Sequence, residues 1–223
     1  MVISSPPGLA SVERDYLETI LSGRRQAALA VMESALAQGH QLPDLYLHVI
    51  ETAQRSLGEL WAEGRISVAE EHMASAVTQT VLTFMYPRLP RSKQARGVAV
   101  VTGVEGELHQ IGAHMVADLL DADGWDVRFL GTQLPHEGIV DLVRSSEARL
   151  VGISCTMPFN LAATADLIRG LRGIEDAPSF SIVVGGSAFH ASPVAWRKVG
   201  ADASASDLFS ARETARTLAE RSS

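Results

Sequence analysis

The sequence predicts an N-terminal four-helix bundle followed by an α/β domain with a doubly wound parallel sheet. Residues 10–86 contain a single proline and are rich in Ala, Leu, Glu and Arg at helical spacing. From Gly97 onward, short apolar runs alternate with helical stretches, which is the pattern of βαβ units. Between these regions, residues 87–96 (PRLPRSKQAR) are polar and basic and contain two prolines. We therefore expect two domains, 8–88 and 97–222, joined by a linker.

The first two helices are bounded by residues that commonly stand at helix ends. The first helix is expected to run from about Ser11 to Leu21. The second starts after Ser22 and presents its apolar residues at helical spacing. It stops at Gly39, because glycine readily adopts the left-handed conformation that ends a helix.

The third and fourth helices carry recognisable start signals. Pro43 lies in the predicted first turn of the third helix, where its missing N–H removes no hydrogen bond, and this helix reaches about Trp61. Residues 67–70 (Ser-Val-Ala-Glu) have the spacing of a capping box for the fourth helix, which runs to about Phe84. Short connections favour antiparallel neighbours, as in a four-helix bundle.

The predicted sheet domain contains apolar runs that are short enough to be strands. These runs are 97–102, 126–131, 150–154, 181–186 and a weaker one at 201–205. Continuous apolar runs of this length suit parallel strands that are buried on both faces. Ligands of such sheets bind at the carboxyl ends of the strands, so a site is expected in the loops that follow them. These loops are 102–112, 130–137, 154–158 and 185–190.

Composition and charge exclude several classes of function. The chain has 19 Lys and Arg against 26 Asp and Glu, a formal charge of −7, which disfavours a surface that coats DNA or a membrane. The single cysteine, Cys155, cannot form an internal disulfide, so a cytoplasmic protein is expected. The first residues lack the pattern of a signal peptide, and no apolar run approaches the ~18 residues of a membrane span.

The loop after the first predicted strand contains the pattern Glu107-x-His109-x-x-Gly112. In an extended loop, Glu107 and His109 point the same way, so the carboxylate can accept a hydrogen bond from one imidazole nitrogen. That bond makes the other nitrogen a better metal donor. Gly112 would let a bulky group approach the backbone. These residues leave a second interpretation open, in which His109 caps the next helix and Glu107 interacts with its positive end.

Two further motifs follow at the ends of later strands. Ser154-x-Thr156 comes after a gap of 41 residues, and Gly185-Gly186 follows after 28 more. The arrangement resembles the cobalamin-binding signature D-x-H-x-x-G…S-x-L…G-G of methionine synthase, corrinoid methyl carriers, mutases and cobalamin-dependent light sensors. It covers essentially the whole chain, because a helical bundle ahead of a flavodoxin-like domain is also typical of several of these groups. Glu107 stands where Asp is usual, and Thr156 where Leu is usual.

The resemblance implies a role for each motif residue. His109 would be the lower axial ligand of cobalt and displace the dimethylbenzimidazole tail of the cofactor, with Glu107 as its hydrogen-bond partner. Ser154 would bond the buried tail base, and Gly185-Gly186 would let the tail pass close to the backbone. The other cofactor-binding residues implied by these motifs are Gly106, Leu108, Ile111, Gly112 and Thr156.

The helical region contains a second set of residues, Trp61 followed after nine residues by Glu71-His72. In an arbitrary bundle, Trp61 would be a core residue and Glu71-His72 part of a solvated helix face. Combined with the cobalamin motif, the set resembles the photosensory cobalamin domains typified by CarH, in which such residues line the upper face around the adenosyl group. Those photoreceptors typically carry a histidine directly after the tryptophan, whereas this chain has Ala62.

The resemblance implies a light-sensing adenosylcobalamin-binding protein rather than an enzyme, with a switch driven by cleavage of the Co–C bond. The related photoreceptors have an N-terminal DNA-binding domain that is expected to be missing here. Output would then pass through self-association, such as a dimer, or a signalling partner, without direct binding to nucleic acid or membrane. Space beside Ala62 leaves room for a linear bilin as a second chromophore. The alternatives are a corrinoid methyl carrier of a methyltransferase system and a cofactor chaperone or store.

Overall fold

The computed structural model describes residues 8–175, 179–190 and 194–221 of the chain. The chain divides into two compact units, the first ending at Pro90 and the second beginning at Arg91. The first unit is helical, and the second contains a five-stranded sheet with helices. The predicted fold class is therefore confirmed. Within the described ranges, no helix combines the length and apolar character needed to cross a membrane.

The described part of the first unit contains α-helices and two short turns of other helical types. They are α1 (Leu9–Leu21), α2 (Arg25–Ala37), α3 (Leu42–Leu45), a π-helical stretch (Tyr46–Ile50), α4 (Glu51–Ala62), α5 (Val68–Met85) and a 3-10 turn (Tyr86–Arg88). The third predicted helix corresponds to α3, the π-helical stretch and α4 in succession, with Pro43 in the first turn of α3. All four predicted helices are therefore present.

Local signals set the ends of these helices. Ser67 Oγ accepts a hydrogen bond from the Glu70 N–H (3.2 Å), and Glu70 Oε2 accepts one from the Ser67 N–H (2.7 Å), so the predicted capping box is present. Gly39 follows α2 with a φ of +95°, the left-handed conformation that glycine adopts readily. Inside the unit, the buried Tyr16 hydroxyl donates to Thr78 Oγ1 (3.1 Å), which satisfies both groups away from water.

The sheet of the second unit consists of parallel strands in the order β2-β1-β3-β4-β5. The strands are β1 (Gly97–Gly103), β2 (Trp125–Gly131), β3 (Leu150–Ser154), β4 (Ser181–Gly185) and β5 (Ala203–Ala205). The helices of this unit are α6 (Ile111–Ala122), α7 (His136–Ser145), α8 (Leu161–Arg172), α9 (Ala195–Lys198) and α10 (Leu208–Arg221). Because the strand order reverses between β1 and β3, a crevice is expected between the loops that follow these two strands.

Helices cover both faces of the sheet. Ile139 of α7 and Leu167 of α8 share one buried cluster with strand residues such as Val151. Ala117 of α6 and Ala215 of α10 belong to the cluster on the other face. Burial on both faces explains why the strands appear in the sequence as continuous apolar runs rather than as an alternating pattern.

The strand register aligns the motif residues along the carboxyl edge of the sheet. Gly103 of β1 pairs with Ser154 of β3, and Ser154 pairs in turn with Gly185 of β4. Gly185 pairs with Ala205 of β5. The loops that carry the three sequence motifs therefore leave the sheet from the same edge.

The first residues of the second unit are bound to the turn that follows α6. The N–H groups of Ser92 and Arg96 donate to the carbonyl oxygens of Ala122 and Gly124 (2.7 and 3.0 Å). Gly124 has a φ of +97°, and a Cβ atom there would lie 1.8 Å from the carbonyl oxygen of Gln94. This anchored stretch belongs to the segment that the sequence predicted as a linker.

An ion cluster around the buried Asp123 attaches α10 to the same turn. The carboxylate of Asp123 accepts two hydrogen bonds from the guanidinium group of Arg212 and two from that of Arg216. Burial alone would raise the pKa of Asp123, but the hydrogen bonds and positive charges of the two arginines hold this pKa below its usual range. Asp123 therefore stays ionised at neutral pH and fixes the helix.

Candidate cofactor site

The loop between β1 and α6 carries Glu107, a carboxylate that is completely buried. Gly106, with a φ of +82°, forms the turn before it, and the Glu107 N–H donates to the Val104 carbonyl oxygen (3.1 Å). A buried charge costs free energy unless hydrogen bonds compensate for its lost hydration. The hydrogen-bond donors that surround Glu107 therefore compensate for its burial, and they determine which residues this part of the site contains.

One oxygen of the Glu107 carboxylate holds the neighbouring histidine. Oε1 lies 2.5 Å from His109 Nδ1 and also accepts from the N–H groups of Leu108 and His109 (both 3.1 Å). The structure thus brings together the two residues that the spacing of the motif pairs. His109 is not the cap of α6, because this helix begins at Ile111 and its N-cap residue is Gln110.

The other oxygen of Glu107 holds the loop after β3. Oε2 accepts from the N–H groups of Thr156 and Met157 (2.8 and 3.2 Å) and from the side-chain amide of Asn160 (3.3 Å). A single carboxylate therefore connects the loop after β1 to the loop after β3. The glutamate side chain is long enough for its two oxygens to reach the two loops at once.

The protonation of the pair follows from these contacts. Burial alone would raise the pKa of Glu107, but hydrogen bonds from the His109 side chain and from the backbone N–H groups outweigh burial and lower the pKa to about 2. The carboxylate is therefore ionised at neutral pH and acts only as an acceptor. In the neutral imidazole of His109, Nδ1 then carries the proton, and Nε2 is the nitrogen whose lone pair a metal ion would take.

The surroundings of His109 fit a large metal-bearing cofactor. The side chain of His109 is 48% exposed at the carboxyl edge of the sheet. A Cβ atom on Gly112, in the first turn of α6, would have no atom within 4 Å, so the space beside this loop is open. Ile111, the first residue of α6, is mostly buried. An imidazole oriented by a carboxylate at an open crevice is a suitable lower ligand for cobalt.

The glycine pair at the end of β4 is required in part by the packing of the fold itself. Gly186 has a φ of +101°, and a Cβ atom there would lie 2.3 Å from the carbonyl oxygen of Cys155. A Cβ atom on Gly185 would lie 3.3 Å from the carbonyl oxygen of Ala205. The close approach of two loops therefore requires Gly186. Passage of a cofactor tail beside this pair, and its hydrogen bond to the partly buried Ser154, stay predictions.

The helical unit holds the second set of predicted site residues. Trp61 lies in the last turn of α4 and is 44% exposed, so the interpretation of Trp61 as a bundle core residue is wrong. Glu71 and His72 lie in the first turns of α5, with Glu71 Oε2 2.9 Å from His72 Nδ1. Ser75 Oγ donates to Glu71 Oε1 (2.7 Å). Contact of these residues with a cofactor stays a prediction.

The sequence reasoning missed Asn160. This residue stands directly before α8, where asparagine ordinarily indicates a helix cap. Its side chain makes no capping hydrogen bond and donates instead to Glu107, 53 residues away in the chain. Only the pairing of β1 with β3 brings the two residues together, so no local pattern could have indicated the contact.

Comparison with known proteins identifies the family. Residues 97–212 match a family model described as a B12 binding domain, and residues 12–85 match a second model with the same description. The chain belongs to the B12-binding domain family. Dimethylamine corrinoid protein 1 of Methanosarcina mazei is 24% identical over 208 residues, which cover 92% of this chain and 94% of that protein.

Two solved structures share the fold of this B12-binding chain. The monomethylamine corrinoid protein of Methanosarcina barkeri has a TM-score of 0.82 at 20% identity, covering 94% of this chain and 99% of its own. A methanol:cobalamin methyltransferase complex from the same organism has a TM-score of 0.51 at 18% identity, covering 96% of this chain and 81% of its own. At these identities, the likeness concerns the fold alone.

The prediction of cobalamin as the cofactor is confirmed at the level of the B12-binding family. The relatives described above are corrinoid proteins and a methyltransferase complex, which is the class of the alternative prediction. They give no support to light sensing, to the adenosyl form of the cofactor or to a bilin. The methyl-carrier alternative is therefore better supported than the photosensory interpretation.

Proposed function

We propose that this B12-binding protein is a corrinoid methyl carrier, a subunit that presents a methyl group to methyltransferase partners. The observation that carries the proposal is the end-to-end match to a dimethylamine corrinoid protein, over 92% of this chain and 94% of that protein. The partners would then be methyltransferases, in place of the self-association or signalling partner that the photosensory resemblance implies.

The residues of the sheet unit have defined tasks in this proposal. Cobalamin, when bound, supplies a cobalt centre that can accept and release a methyl group. His109 would hold the cobalt through Nε2, and Glu107 would keep the imidazole in one orientation through its hydrogen bond to Nδ1. Ser154 and the Gly185-Gly186 pair would receive the cofactor tail at the aligned edge of β3 and β4.

A light-sensing adenosylcobalamin protein is the second candidate, and the exposure of Trp61 favours it. An indole that is 44% exposed at a helix end can contact a ligand, as the photosensory resemblance implies. Glu71 could accept hydrogen bonds from ribose hydroxyl groups in that case. Ala62 argues against the usual lit state, because it stands where those photoreceptors typically carry a cobalt-binding histidine.

Reconstitution with two forms of the cofactor distinguishes these candidates. The purified chain is loaded with methylcobalamin or with adenosylcobalamin, and the affinity and absorption spectrum of each complex are measured. Size-exclusion chromatography of the adenosylcobalamin complex is then performed in the dark and after illumination. Methyl transfer to a thiol or folate acceptor is measured with an added methyltransferase.

A methyl carrier binds both forms with similar affinity, shows an imidazole-coordinated spectrum and transfers the methyl group. Its assembly state does not respond to light. Strong preference for adenosylcobalamin, together with a light-driven change in elution volume, would refute the carrier and favour the sensor. A far-red absorption band would reveal a bilin. Tight binding with neither transfer nor a light response would indicate a cofactor store.

A further inference from the structure

Two large apolar side chains are exposed on the loops that meet at Glu107. Leu108 is 66% exposed and Phe159 is 72% exposed, although apolar side chains of this size are usually covered. Leu108 lies between Glu107 and His109 in the loop after β1. Phe159 lies in the 3-10 turn Pro158–Asn160 of the loop after β3.

The backbone on both sides of these side chains is fixed by the same carboxylate. The N–H of Leu108 itself donates to Glu107 Oε1 (3.1 Å). The turn that carries Phe159 is held before and after it, because the Met157 N–H and the Asn160 side chain both donate to Glu107 Oε2 (3.2 and 3.3 Å). The two apolar groups are therefore held in place rather than carried on free loops.

We propose that Leu108 and Phe159 form an apolar seat for the corrin ring beside His109, with Phe159 as a determinant of cofactor affinity outside the sequence motifs. The inference rests on the proposed cobalamin site at His109. A corrin is a broad, mostly apolar ring with amide groups at its rim, and it would cover such side chains as its metal binds the imidazole. Glu107 would then fix the axial ligand and the ring seat together.

Binding measurements with two probes test the seat. Phe159→Ala, Phe159→Leu and Leu108→Ala are titrated with hydroxocobalamin and with cobinamide, which has the corrin ring but lacks the nucleotide tail. Phe84→Ala is the matched control, since Phe84 is an exposed phenylalanine (61%) near the end of α5 in the helical unit. Thermal unfolding of each variant shows that it is folded.

The dissociation constant of Phe159→Ala should rise about tenfold for both probes, because the ring contact does not involve the tail. Leu108→Ala should show a smaller rise of the same kind, and Phe159→Leu and Phe84→Ala should bind almost as tightly as the wild-type chain. At saturation, the imidazole-coordinated spectrum of Phe159→Ala should be retained.

Wild-type affinity of Phe159→Ala for both probes would overturn the seat, and would leave the cobalamin site at His109 intact. A loss confined to hydroxocobalamin would also overturn it, because the tail rather than the ring would then be affected. A wild-type chain that binds neither probe would refute the proposed function itself.

Discussion

Replacing Glu107 with glutamine should destabilise the sheet unit although the side chain keeps its shape. Each oxygen of the Glu107 carboxylate accepts three hydrogen bonds, one set from the loop after β1 and one from the loop after β3. Glutamine has one acceptor oxygen, and its NH2 group would face donors in place of the other oxygen. An NH2 group that faces the loop after β3 leaves three donors without an acceptor. One that faces the loop after β1 leaves the two backbone N–H groups without an acceptor, because the neutral imidazole of His109 can change tautomer and accept at Nδ1.

The loss in the free energy of unfolding depends on which of these donors can form a hydrogen bond with water instead. Hydrogen bonds to a charged acceptor contribute about 1.5–3 kcal/mol each to the free energy of unfolding, and a donor near the surface recovers part of this from solvent. The amide is expected to turn its NH2 group toward Leu108 and His109, whose side chains are the more exposed. We therefore expect Glu107→Gln to lower the free energy of unfolding by about 3 kcal/mol.

Urea denaturation monitored by circular dichroism measures this loss. Glu105→Gln is the matched control, because Glu105 lies in the same loop and is exposed. Its substitution should change the free energy of unfolding by no more than about 0.5 kcal/mol. A loss below about 1 kcal/mol for Glu107→Gln would refute the reasoning that this buried charge organises the two loops.

The remaining predictions concern the axial ligand, the glycines and the ion cluster. His109→Ala should lower the free energy of unfolding by about 1.5–3 kcal/mol, because the buried Glu107 carboxylate loses one charge-assisted hydrogen bond. It should also abolish the imidazole-coordinated absorption spectrum of the cobalamin complex; an unchanged spectrum would contradict the ligand assignment. Gly186→Ala should lower the free energy of unfolding by about 3 kcal/mol, whereas Gly112→Ala, in open space, should not destabilise the fold. Asp123→Asn should be destabilising at neutral pH. The free energies of unfolding of Asp123→Asn and the wild type, measured by urea denaturation, should become more similar as the pH falls below about 4 and through the lowered pKa of Asp123. Protonation of Asp123 in the wild type then removes the same ion pairs that the substitution removes. A difference that grows toward acid pH would contradict this.

Much of the fold could be predicted because its signals are local. The capping box at Ser67 and Glu70 involves residues within one helical turn, and Pro43 fixes the start of a helix by its own geometry. The strands were recognisable because burial on both faces produces uninterrupted apolar runs. The π-helical stretch Tyr46–Ile50 was not predicted, since it carries no comparable local signal.

The candidate site could be predicted only where its residues are close in sequence. Glu107 and His109 are two residues apart, so their spacing indicates the contact that the structure contains. The contacts from Glu107 to Met157 and Asn160 depend on the register of β1 against β3, which the sequence does not display. The resemblance explains Gly186 by the passage of a cofactor tail. In the structure, the positive φ of Gly186 and the nearby carbonyl oxygen of Cys155 already exclude a side chain at this position.

The functional prediction gave too much weight to three residues of the helical unit. Trp61, Glu71 and His72 are a short pattern, and an exposed indole, a carboxylate and an imidazole can each contact several kinds of ligand. Such a pattern does not specify whether an adenosyl group, a methyl group or a partner protein contacts these residues. The match to a dimethylamine corrinoid protein covers 92% of this chain, so it uses far more positions and gives better support to the proposed carrier.

The attachment of the connecting segment to the turn after α6 has a practical consequence for protein engineering. A fragment cut at Gly97 would lack Ser92 and Arg96, whose N–H groups bind that turn, and would leave two carbonyl oxygens to water. A fragment cut at Arg91 keeps these hydrogen bonds. In chimeras that exchange the helical part between B12-binding proteins, the junction should therefore be placed at Pro90, so that the donor sequence ends before the anchored stretch begins.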